Sequence, residues 1–130
     1  MKLYTDIQAL FKGAFPDLNI LMANGSEERQ APYLLIEGEA IEERIKGNNT
    51  WEHEIRITLS SNAHDWSASQ QEQQINKISD FVQSQLREKL LTAQSNDYLV
   101  YSLSISNIAS SEINDDDIKQ RISLTILTQQ

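Results

Sequence analysis

The sequence predicts an α+β fold: an antiparallel sheet of two hairpins plus a short strand, packed by an N-terminal helix and one long central helix. Three observations predict it. Two stretches, one at the N-terminus and one past residue 70, repeat apolar residues at helical spacing. Three others, near residues 51–60, 99–106 and 121–126, alternate apolar and polar with period two. Their order is helix, short strand, hairpin, helix, hairpin, which lacks the strand–helix alternation of a doubly wound sheet. The economical packing is then an antiparallel sheet with its helices on one face. The 130 residues fit a single domain, 1–130. A domain of that size buries about two thirds of its unfolded-chain surface and holds a core without staples.

The first helix is read over about residues 2 to 14. Leu3, Ile7, Leu10, Phe11 and Ala14 fall on one stripe, and Gly13 and Pro16 suit its end. Leu18 to Met22 is a short extended piece, followed by a turn at Asn24-Gly25-Ser26 and an exposed loop through Gln30. Pro32 opens the run Tyr33-Leu34-Leu35-Ile36-Glu37, which continues more weakly through Ile41 and Ile45. Lys46-Gly47-Asn48-Asn49 is turn material. Trp51, His53, Ile55, Ile57 and Leu59 then share one face of the clearest strand. These two runs should pair as a long hairpin whose tip projects past the core, since residues 39 to 50 are mostly polar. Ser67 or Ser69 can cap the second helix, with Ser69-x-x-Glu72 as a capping box. Its apolar stripe is Ile75, Ile78, Phe81, Val82, Leu86 and Leu90, with Gln71, Gln74, Lys77, Gln85 and Glu88 off it. Leu99, Tyr101, Leu103 and Ile105 alternate with Val100, Ser102, Ser104 and Ser106, which reads as a strand whose second set forms a clean polar face. An acidic turn region, 110–117, leads to a last strand through Ile122, Leu124 and Ile126, closing a second hairpin.

Charge and composition exclude several function classes. Nineteen acids against eleven bases give a formal net charge of −8, and the bases are scattered singly. Nucleic-acid binding by counterion release needs a basic surface, so specific binding of nucleic acid is not expected. The chain has no cysteine, which removes disulfides, thiolate metal sites and thiol catalysis. No apolar run approaches the ~20 residues that span a bilayer. The start MKLYTDIQAL lacks a signal peptide's continuous apolar region. A soluble protein made in a cytoplasm is expected, with no membrane partner.

No catalytic, cofactor-binding or metal constellation emerges. His53, on the clearest strand, reads as a buried or interface histidine. His64-Asp65 lacks the further histidines a metal centre needs, since His53 is the only other one. Asp115-Asp116-Asp117 lacks the alternate spacing of a calcium loop and reads as a solvated turn. The four glycines form no phosphate-cradling loop and no nucleophile elbow. Tyr33, Trp51 and Tyr101 fall on strands, where core packing is the default. Trp66, in a polar connection, is either a helix-entry contact or a protein–protein anchor. The candidate protein–protein contacts are Glu42, Arg44, Lys46 and Asn48 on the first hairpin, with Trp66 and Asp116. No enzyme and no cofactor are expected.

Several stretches together resemble the tail-terminator and neck (head–tail joining) proteins of long-tailed phages and prophages. They are the N-terminal helix MKLYTDIQALFKGAFP, then APYLLIEG opening the first long strand, then a polar hairpin and WEHEIRITLS. The long helix from near Gln71 and the closing RISLTILT complete the order, which spans nearly the whole chain. The resemblance implies a homo-oligomeric ring, usually of six subunits, that caps the tail-tube protein and joins it to the head connector protein. It implies a virion location after assembly in the bacterial host cytoplasm, with DNA passing through the ring. Six subunits at −8 each carry about −48 formally, which would keep that DNA from sticking. The alternatives are another minor virion component, a small non-viral adaptor or ligand-binding module, and an enzyme built on Glu52, Glu54 and Asp65.

Overall fold

A computed structural model of the chain describes residues 3–23, 25, 29–45, 50–92 and 98–129, with the backbone alone for 39–45. The first helix, α1, is Leu3–Ala14, and its stripe buries Leu3, Ile7 and Phe11 completely. Strands β1 (Asn19–Met22), β2 (Tyr33–Ile45) and β3 (Thr50–Asn62) follow. The second helical stretch begins as α2 (Ala68–Phe81), passes through a π turn at Val82–Leu86 and ends as α3 (Arg87–Thr92). Strands β4 (Leu99–Ile108), β5 (Glu112–Asn114) and β6 (Asp117–Gln129) complete the chain. The fold is α+β, as the element order predicts.

The strands form one sheet in the order β1-β2-β3-β6-β4, with β5 continuing the β4 edge along β6. All pairs are antiparallel except β1 with β2. Both hairpins form, and β3 pairs with β6 over its whole length to join them. The helices pack together on one face, here called inner. Phe81 of α2 meets Phe11 of α1 and Phe15 with ring centroids 5.0 and 5.4 Å apart. Beneath them lie Leu34 and Ile36 of β2, Ile55, Ile57 and Leu59 of β3, and Ile122, Leu124 and Ile126 of β6. A small second cluster, Leu21, Tyr33 and Leu35, is buried on the opposite, outer face.

The central helical stretch needs its π turn. Ile78, Val82, Leu86 and Leu90 are spaced by four, and each such step drifts about 40° around a 3.6-residue helix. A wider turn between Val82 and Leu86 absorbs that drift and keeps all four side chains buried.

Three expectations are corrected. Gln71 is 1% exposed rather than off the stripe. It lies one turn before Ile75 on the same helical face, and its amide is satisfied there: Ser61 Oγ donates to Oε1 at 2.6 Å and Nε2 donates to Leu59 O at 3.3 Å. The capping box is Ser67 with Gln70, because the helix starts at Ala68 and Ser69 is already inside it. On β4, Leu99 and Tyr101 are 45% and 51% exposed while Val100 is buried. A bulge between Val100 and Ser102 inserts one residue and reverses the face, so the inward set is Tyr98, Val100, then Leu103. In the first hairpin, residues 39–45 continue the ladder beyond Gly38, and its tip at 46–49 lies outside the described residues. Residues 39–45 are laddered to β3, whose own residues there pair with β6. The predicted turns at 24–26 and 46–49 lie wholly or mostly outside the described residues.

Candidate assembly surface

The inner face of β3 carries one polar side chain among its apolar ones. His53 is 2% exposed. Its Nδ1 is 2.8 Å from the Tyr4 hydroxyl on α1, and its Nε2 is 2.9 Å from Thr128 Oγ1 on β6. Burial pushes the imidazole below its ordinary pKa, since the site disfavours the cation. Tyr4 reaches this position over Gly38: a Cβ there would stand 2.2 Å from the Tyr4 ring. The group therefore clamps α1 to the sheet. Both ring nitrogens are occupied by hydroxyls of the fold, so His53 has no free nitrogen to offer a ligand.

Trp66 is half-buried and packs against the main core at the entry to α2. His64 Nε2 lies 3.1 Å from Asp116 Oδ2, tying the β3–α2 connection to the β5–β6 turn. Both are well exposed, so this pair contributes little stability. Asp115, at φ 55°, is the turn's left-handed residue, a conformation aspartate tolerates. Glu42 and Arg44 lie on β2, with Glu42 in register with Glu52 and Arg44 the extra residue at a second irregularity. Lys46 and Asn48 lie outside the described residues. The structure brings Asp116 to His64 and Trp66 to the core. Among the described residues no group of three His, Cys, Asp or Glu stands close enough to hold a metal ion. No described helix is long and apolar enough to cross a membrane.

The outer face reveals a pattern hidden in the sequence. Side chains at even positions of β3 and odd positions of β6 point to it. Toward the 46–49 end, the register sets Glu39 opposite Glu54 and Glu42 opposite Glu52. Toward the other end, Arg56 faces Ser123, and Thr58 faces Arg121, with Lys119 one step further opposite Ser60. Arg56, Lys119 and Arg121 are all exposed. Bases 65 residues apart in the chain thus lie on one face of the sheet. Glu37 lies opposite Arg56, and Glu112 opposite Lys119. Long-range register decides this, which is why scattered bases in the sequence gave no sign of it.

Two concavities matter. Thr58, Ala109, Ser110, Glu112, Lys119, Gln120 and Arg121 line a cavity of about 50 Å³. The Thr58 hydroxyl is buried there without a hydrogen-bond partner among the described residues. An open groove of about 410 Å³ runs between α1 and α3, lined by Asp6, Ala9, Leu10, Lys89, Leu90, Thr92 and Tyr98. The Tyr98 hydroxyl donates to the Asp6 carboxylate beside it.

Comparison with known proteins locates the fold. No protein-family model matches the chain, and no curated protein does. A solved structure with no functional name is similar over 98% of this chain and 96% of its own, with a TM-score of 0.62 at 19% sequence identity. At that identity the likeness establishes the shared fold alone.

Proposed function

We propose that this chain is a tail-terminator or neck subunit that assembles into a ring, caps a phage-type tail tube and joins it to the head connector. The observation that carries the reading is the order of elements over nearly the whole chain: helix, short strand, long hairpin, capped long helix, closing hairpin. The two-layer build is consistent with it. Helices cover one face of the sheet, and the other carries Glu37, Glu54, Arg56, Lys119 and Arg121 beside a small buried cluster of Leu21, Tyr33 and Leu35. The mechanism is surface complementarity between rings and needs no reaction. Added to polymerising tail-tube protein from the same source, the chain should appear in electron micrographs at one tube end and stop growth. Tubes that grow on unchanged, with bare ends, contradict the reading.

A second reading is a ligand-binding module, favoured by the partly apolar groove between α1 and α3. It expects a monomer whose groove holds a small amphipathic molecule. A Leu10→Trp variant that loses no binding of any kind, yet still assembles, removes that reading.

A further inference from the structure

We propose that the cavity beside Thr58 is a binding site for a carboxylate group, held between the Thr58 hydroxyl and the Arg121 and Lys119 side chains. The inference goes beyond the ring reading and does not depend on it. Three observations support it. First, the site contains a buried polar group with nothing to bond. Thr58 is 7% exposed, and its hydroxyl has no hydrogen-bond partner among the described residues. A buried hydroxyl left without a partner is costly, and an acceptor drawn beside it removes that cost. Second, two bases line the same cavity. Arg121 is in register with Thr58, and Lys119 with Ser60, one step along the same face. Neither base has an ion pair among the described residues, so both keep N–H donors for an incoming anion. Third, the space fits the group. A water takes about 10–15 Å³ of such space, so a cavity of about 50 Å³ has room for one small polyatomic group.

Charge selects the class of ligand. Lys119 and Arg121 stand against Glu112 in the lining, which leaves a surplus of one positive charge. A singly charged carboxylate neutralises it, whereas a doubly charged phosphate would place a negative surplus beside Glu112. Glu112 lies opposite Lys119 in register, so the carboxylate belongs toward Arg121 and Thr58. A guanidinium holds a carboxylate through two parallel hydrogen bonds, and an ammonium adds a point charge. On its other side Thr58 is in register with Leu35, which is buried with Leu21 and Tyr33. That apolar wall lowers the local dielectric and strengthens a hydrogen bond made beside it. Water is the competing occupant, and it has no use for the two bases.

The test titrates the full-length chain with sodium acetate, and with sodium chloride at matched ionic strength, while backbone amide NMR shifts are followed. Acetate should move the amides of Thr58, Ser110 and Arg121 along a saturable curve, and chloride should not. Thr58→Val keeps the shape of the side chain and removes the hydroxyl. It should weaken acetate binding about tenfold, as expected for one lost hydrogen bond to a charged group. Arg121→Gln should abolish saturation. Thermal unfolding gives an independent reading. Without acetate, Thr58→Val should melt no lower than wild type; saturating acetate should raise the wild-type Tm and leave that of the variant nearly unmoved. A capped tripeptide with a central Asp, used in place of acetate, distinguishes the source of the group. Tighter binding of the peptide assigns the carboxylate to a partner's side chain, and tighter binding of acetate assigns it to a free small acid. Shifts that acetate and chloride produce alike, or an acetate affinity unchanged in Thr58→Val, overturn the site and leave the ring reading standing.

Discussion

His53 occupies a position on β3 where its neighbours Ile55, Ile57 and Leu59 are fully buried aliphatics. Its two hydroxyl partners come from the first helix and the last strand, so one side chain links the ends of the chain. The linkage has a pH signature. The folded pKa lies below the ordinary 6.5, so the unfolded chain binds the proton more readily. Stability is therefore full above pH 6.5 and falls as pH drops from 6.5 toward the folded value. Urea midpoints should decline between pH 7.5 and 5.5, and His53→Phe should flatten that slope. An equal slope in the variant would place the titration elsewhere. Gly38 serves the same clamp by leaving room for the Tyr4 ring. Gly38→Ala forces a rigid aromatic ring aside, and thermal or urea unfolding should show a loss of about 1–3 kcal/mol, the usual cost of overpacking.

At the scale of elements, most of the architecture is written in local pattern. Spacing of Leu3, Ile7 and Phe11 defines α1, and alternation from Trp51 to Leu59 defines β3. Leu3, Ile7 and Phe11, and His53, Ile55, Ile57 and Leu59, are buried as the pattern selects, while Trp51 is half-buried. What was not legible depends on register or on competition between near-equal local choices. Two serines at the start of α2 both suit a cap, and backbone geometry selects Ser67. Ser67→Ala should therefore cost about 1 kcal/mol in chemical unfolding. Ser69→Ala should change stability by less than about 0.5 kcal/mol. On β4, strict alternation pointed Leu99 and Tyr101 inward, and one bulge reversed them. A bulge leaves no mark in a run of mixed Ser, Tyr and aliphatic residues. Gln71 was misplaced because residue type was weighed above helical position, although a buried glutamine is stable where Ser61 and Leu59 O meet its amide.

At the scale of the molecule, the candidate surface was the least legible part. The sequence nominated the polar hairpin, Trp66 and Asp116; the fold instead draws Arg56, Lys119 and Arg121 together across β3 and β6. Only strand order and register could do so, because neither is local. Acidity itself takes on a different meaning. A net charge of −8 first reads as a reason to exclude nucleic acid, and in the proposed ring it would serve to keep passing DNA from sticking. Assembly is the claim on which the functional account depends. Its most direct test is the mass of the full-length chain in solution by light scattering, alone and with tail tubes present. The account predicts a discrete species near six times 14.8 kDa. A strict monomer that stays free of tube ends at every concentration would contradict it.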